Sequence, residues 1–168
     1  MKRIALLVAL VGLLLTGAGT TAAAETAGPP TPNCGHYSGG GDAALVRDAA
    51  SYVRLFGSGT VIGSVQLCRQ GDYYWAYVVF YDYMPRGKWG TAVLEIIRDG
   101  VKYQWGCDSR PQGSPNGGNG RVLPGQNRCW TPKVYANIYT DWIRAIGYRA
   151  NDPYPTGAWD AAGYGAWK

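Results

Sequence analysis

The sequence predicts a mainly β fold: a small antiparallel sandwich or open barrel with a possible short helix and two disulfides. Three observations lead there. Apolar and polar residues alternate with period two from Tyr52 to Trp105, the pattern of strands with one face inward. Gly57-Ser58-Gly59, Gly71-Asp72 and Asp99-Gly100 break that stretch into strand-length pieces. Four cysteines, Cys34, Cys68, Cys107 and Cys129, all follow an export-like N-terminus, and an even count in an exported chain reads as two cross-links.

That N-terminus has two positive charges in Met1-Lys2-Arg3, an apolar stretch over 4–15, and small residues at Ala22-Ala23-Ala24. This is the order of a secretory signal, with cleavage expected before Glu25. The apolar core of 12 residues is shorter than the ~20 a helical span needs, so no membrane span is expected in the mature form. The chain then divides into a signal over 1–24, a tail over 25–41 and a single β-rich domain over 42–168. The expected location is secreted and extracellular.

Composition narrows the classes further. Hydrophobic residues make up 46% and charged residues 16%, which argues for a packed domain. Without Lys2 and Arg3, 14 basic residues face 11 acidic ones, a balance of +3. The basic residues are scattered, so no concentrated face for nucleic acid is expected. Mild basicity instead suits loose affinity for anionic cell-wall polymers.

The four cysteines allow three connectivities, of which the sequential one, Cys34–Cys68 and Cys107–Cys129, is the expectation. The second link would close a loop of 21 intervening residues, worth ~3 kcal/mol through chain entropy. A zinc site is not expected, because no two cysteines are close and the single histidine, His36, is remote from three of them.

The elements follow in order. The tail carries Pro29, Pro30, Pro32 and Gly39-Gly40-Gly41 and is tethered at Cys34. Residues 42–50 read as weakly helical, with Asp42 as cap and Leu45, Val46 and Ala49 on one face. A strand from Tyr52 turns at Gly57-Ser58-Gly59 into another over 61–69. Gly71-Asp72 leads to the longest expected strand, 73–83, which Pro85-Arg86-Gly87 ends. Strand 89–98 follows. Asp99-Gly100 then makes a hairpin, since both turn positions need a positive φ that Asp tolerates and Gly prefers. Val101, Tyr103 and Trp105 share a face beyond it.

Residues 108–128 hold five Gly, three Pro and two Asn-Gly steps, and read as a loose loop stapled by Cys107 and Cys129. Residues 131–148 read two ways. As a helix, Pro132 stands at the first position and Tyr135, Ile138, Tyr139, Trp142, Ile143 and Ile146 form one stripe. As a strand, Trp142, Arg144, Ile146 and Tyr148 alternate with Ile143, Ala145 and Gly147. A closing edge strand is expected within 157–168.

Two segments carry a family resemblance. The run from Val65 to Val78 includes Cys68 and the pair Trp75-Ala76. The run Cys129-Trp130-Thr131-Pro132-Lys133-Val134-Tyr135 follows the strand–turn–strand over 98–103. Together they resemble small secreted actinobacterial proteins of unknown function, over about half of the mature chain. In those relatives a basic residue tends to stand where this chain has Tyr77, and an Asp where it has Ala136. The resemblance implies a secreted β protein with a disulfide, favours the strand reading of 131–148, and supplies no catalytic residues.

The residues themselves offer three kinds of chemistry. On strand 73–83 one face carries Tyr73, Trp75, Tyr77, Val79, Tyr81 and Tyr83, a row of amphipathic rings; the other carries Tyr74, Ala76, Val78 and Phe80, suited to a core. The plain reading is a central strand buried on both sides. If exposed, Trp75, Tyr77, Tyr81 and Tyr83 could stack the sugar rings of cell-wall or environmental polysaccharide, or meet a protein partner. A hydrolase would need two carboxylates; Glu95, the only glutamate after Glu25, with Asp82 as partner, is the candidate pair, though pairing of Glu95 with a basic neighbour is the plainer role. A protease inhibitor could present loop 108–128 with Arg110 and Arg121, but five glycines oppose the rigidity that tight inhibition needs. No cofactor motif is present. The reading is a non-catalytic binding or structural module.

Overall fold

The computed structural model describes residues 34–36, 43–109, 117–152 and 158–168. The expected export signal, most of the 25–41 tail, Arg110 and the side chain of His36 lie outside the described residues.

Among the described residues, nine strands make one antiparallel sheet: β1 Ala44–Leu55, β2 Val61–Gln70, β3 Tyr73–Phe80, β4 Trp89–Arg98, β5 Val101–Gly106, β6 Arg128–Trp130, β7 Val134–Tyr135, β8 Trp142–Ala150 and β9 Trp159–Tyr164. Their order is β5-β4-β8-β9-β1-β2-β3-β6, with β7 also on β3. The sheet curls into a nearly closed barrel. Its inner face buries Val53, Val65, Leu67, Ala76, Val78, Leu94, Ile96, Ile143 and Ala145 in one core. Where β8 crosses that core Gly147 leaves little room: a Cβ there would stand 3.0 Å from Val53 and Val65 side-chain atoms and 3.1 Å from Val78, so those side chains would have to give way.

Both disulfides form in the sequential pairing, with Cα–Cα distances of 5.5 Å for Cys34–Cys68 and 6.1 Å for Cys107–Cys129. The second joins the end of β5 to β6, the two ends of the sheet order. The chain between them draws the same edges together. Gly90 and Val122 exchange backbone hydrogen bonds, Gly120 N donates to the Cys107 carbonyl, and Phe80 N donates to that of Asn127. The loose loop expected over 108–128 is therefore, across its described part 117–128, a tied closure. Gly118 is buried in it, and a Cβ there would collide at 2.2 Å with the Cys107 carbonyl oxygen.

The hairpin expected at Asp99-Gly100 is present, with φ of 51° and 74°. Three expectations need correction. Residues 42–50 hold no helix where they are described; β1 starts at Ala44. The three-residue spacing that imitated a helix comes from a bulge. Leu45 pairs with Cys68 and Ala50 with Gln66, so extra residues of β1 loop out, with Asp48 at a φ of 55°. Val46 and Ala49 both reach the core through that bulge. Second, the longest strand is β1, and β3 stops at Phe80. Third, β9 is no edge; it lies between β8 and β1.

Of the two readings of residues 131–148 the strand one is found: they are strands separated by turns, with Trp142, Arg144, Ile146 and Tyr148 alternating along β8. Pro132 has no N–H to continue a ladder, so β6 and β7 are two pieces on the same side of β3. Between them the Thr131 hydroxyl accepts from Ala76 N at 3.0 Å.

Candidate functional site

The row of rings expected along β3 is not a continuous surface. Trp75 and Tyr77 are buried. The Cys34–Cys68 disulfide brings Cys34 against the outer side of β2 and β3, and Trp75 and Tyr77 pack there with Ala43, Leu45 and Trp130. Lys133 Nζ lies 5.0 Å from the Trp75 ring centre, and Trp130 lies parallel to Tyr77 at 6.3 Å. Burial raises the Tyr77 hydroxyl above the ordinary tyrosine range, with Arg128 opposing. The plain reading of β3, covered on both faces, holds for its middle. Tyr81 and Tyr83 are 54% and 73% exposed but follow the strand's end. Burial, with Tyr52 adding and Arg54 opposing, raises the Tyr81 hydroxyl above the ordinary tyrosine range, and Tyr83 lines a small cleft with Asp82, Met84 and Arg149. The four expected ligand residues are thus not assembled into one platform.

A different aromatic face stands on the outside of β4, β8 and β9. Register puts Glu95 on β4 between Gln104 on β5 and Arg144 on β8. Arg144 Nε donates to Glu95 Oε1 at 2.9 Å and Gln104 Nε2 donates to Oε2 at 2.6 Å. Lys102 Nζ lies 3.5 Å from Oε2. Glu95 is 1% exposed, so its charge is matched inside the sheet surface rather than by water. The plainer role, pairing with a basic neighbour, is therefore present, but at a buried position.

Rings gather around the paired arginine. Its guanidinium carbon lies 4.2 Å from the Trp167 ring centre and 5.6 Å from that of Tyr164, a cation–π arrangement that keeps the guanidinium planar against the rings. Tyr164 meets Tyr148 edge-on at 5.9 Å, and Tyr148 stacks on Trp159 at 4.3 Å. Burial, and then the hydrogen bond with Tyr164, hold the Tyr148 hydroxyl well above the ordinary tyrosine range. Trp142 is two residues before Arg144 and so on the same face; it is 61% exposed, and Tyr164 is 52% exposed. The C-terminus holds Trp167 in place: Ile143 and Lys168 exchange backbone hydrogen bonds, both at 2.9 Å. Sequence reasoning missed this face as a site, although the strand reading of Trp142, Arg144 and Tyr148 carried its signal. Trp159, Tyr164 and Trp167 had no pattern clear enough to place them.

Glu95 and Asp82 are not brought together as a catalytic pair. Glu95 accepts from Arg144 and Gln104, while Asp82 belongs to the cleft with Tyr83 and Arg149 after β3. Among the described residues, no group of three or more His, Cys, Asp or Glu could hold a metal ion, and no helix is long and apolar enough to cross a membrane. Comparison with protein-family models, with curated proteins and with solved structures finds no match.

Proposed function

We propose that this protein is a secreted, non-catalytic module that binds cell-wall or environmental polysaccharide on the outer face of β8 and β9. The single observation behind this reading is the ring cluster of Tyr148, Trp159, Tyr164 and Trp167 around Arg144, with Trp142 exposed on the same face of β8. Sugar rings have apolar C–H faces and polar rims. Aromatic faces cover the first, and Arg144, Gln104 and Lys102 supply donors for the second. The rings are already packed against one another, so little side-chain entropy remains to be lost on binding. The signal-like N-terminus and the two disulfides support export.

The test is retention of the oxidised protein on insoluble polysaccharides, with purified peptidoglycan and cellulose as probes. The double variant Trp142→Ala/Tyr164→Ala should lose at least tenfold in affinity for whichever polymer retains the native protein, because each stacked ring contributes roughly 1 kcal/mol or more. Both side chains are exposed, so folding should survive, and a native far-UV spectrum checks that. Unchanged retention would refute the assignment of this face. Sugar released into the supernatant, and abolished in Glu95→Gln, would replace a binder with a hydrolase.

A further inference from the structure

A cleft lies beside β6. It has a volume of about 390 Å³ and is lined by Asn119, Gln126, Asn127, Arg128 and Trp130. None of its lining residues belongs to the ring cluster around Arg144. Trp130, held parallel to Tyr77, is its one aromatic lining residue, and the other four are polar.

The hydrogen bonds of that rim have a direction. Trp130 N donates to Asn119 Oδ1 at 2.8 Å. Leu123 N donates to Gln126 Oε1 at 3.0 Å. Arg128 Nε donates to Asn127 Oδ1 at 3.2 Å, and Asn127 Nδ2 donates to the Phe80 carbonyl at 3.4 Å. The three amide oxygens are therefore committed within the protein. Asn119 Nδ2 and Gln126 Nε2 have no acceptor among the described residues, and an amide nitrogen can only donate. The Arg128 guanidinium adds a positive charge and further donors. Lined with an aromatic ring, donors and a cation, the cleft suits a flat ligand rich in acceptor oxygens with a negative charge. The residues that frame it cannot drift apart, because the Cys107–Cys129 disulfide and the hydrogen bonds of the 117–128 closure fix β6 and its approach.

We infer that this cleft binds a sugar ring carrying a carboxylate, the carboxylate on Arg128 with the amide N–H groups and the ring on Trp130. The inference stands apart from the polysaccharide face on β8 and β9 and needs no ligand there.

Calorimetric titration with oligogalacturonate, against a neutral oligosaccharide of equal length, tests it. The native protein should bind the acidic oligomer at least tenfold more tightly. Arg128→Gln should remove roughly tenfold of that affinity, as expected for a hydrogen bond between charged groups, and Gln126→Ala should weaken it less. Added salt should weaken native binding more than that of Arg128→Gln. The Trp142→Ala/Tyr164→Ala variant should bind oligogalacturonate like the native protein, so failure of the β8–β9 reading leaves this one standing. Equal binding of the neutral oligomer, no binding of the acidic one at millimolar concentration, or an unaffected Arg128→Gln would overturn it.

Discussion

A protein with serine at both Cys107 and Cys129 should unfold with about 3 kcal/mol less stability than the oxidised native chain. The two residues are 22 apart in sequence, and chain entropy alone accounts for a loss of that size. Their location adds a structural consequence. The link joins the end of β5 to β6, the two ends of the sheet order. Both cysteines are buried, and Ala92 N lies 3.2 Å from the Cys107 sulfur. Without the link, the closure rests on the hydrogen bonds of Gly90, Val122, Gly120 and Asn127. Transient opening would bare the backbone of two edges, and bare edges recruit other strands. Urea unfolding followed by size-exclusion chromatography checks both parts. The midpoint should fall and oligomers should appear. An unchanged midpoint would mean that the hydrogen bonds close the barrel by themselves.

The second large effect is expected from Arg98 and Asp141. Arg98 extends from the β4–β5 hairpin and donates to both oxygens of Asp141, at 3.1 Å from Nε and 2.6 Å from one terminal nitrogen. It also donates to the Tyr135 carbonyl at 3.1 Å. Asp141 is buried and accepts from Asn137 N at 3.0 Å as well. The hydrogen bond from Arg98, ahead of the smaller contributions, holds the Asp141 carboxyl below its ordinary value. A carboxyl depressed by folding stabilises the protein above its unfolded pKa, ~3.9, and that contribution is lost as pH falls through the lower folded value.

Arg98→Ala should therefore cost about 2–3 kcal/mol at neutral pH, because it removes bonds to a buried anion. The half-exposed arginine keeps the loss below that of a fully buried pair. The difference between variant and native protein should shrink as pH falls below about 4, where protonation of Asp141 weakens the bond in the native chain too. Denaturant midpoints at pH 7 and at about pH 2.5 measure this. A difference independent of pH would mean that Arg98 acts through packing alone.

Local chemistry explains which parts of the fold could be read in the sequence. Asp99-Gly100, strand 89–98 and the sequential disulfides were legible because turn geometry, alternation and loop length are short-range signals. The strand at 44–50 was not, because its bulge around Asp48 put apolar residues three apart, as a helix does. The closure over 117–128 was hidden by its glycines. Gly118 reads as flexible chain, yet it is there because the Cys107 carbonyl leaves no room for a Cβ.

The candidate site divides in the same way. Alternation along β3 separated its two faces correctly, but no local pattern indicated that Cys34 and Trp130 would cover Trp75 and Tyr77. On β8 the alternation of Trp142, Arg144 and Tyr148 was visible. What gives those residues meaning is their neighbours: Glu95 from β4, Tyr164 from β9, and Trp167 from the C-terminal residues paired along Ile143. That convergence depends on sheet order, which alternation does not encode.

The most direct test of the binding face is the set of indole N–H resonances from the seven tryptophans, recorded while soluble oligosaccharide fragments of peptidoglycan are titrated in. Trp142 and Trp167 should shift together, and Trp75, buried behind Cys34 and Lys133, should stay where it is. Shifts confined to Trp75, Trp89, Trp105 or Trp130, or a spectrum unmoved by the fragments and by cello-oligosaccharide alike, would contradict a polysaccharide site on β8 and β9.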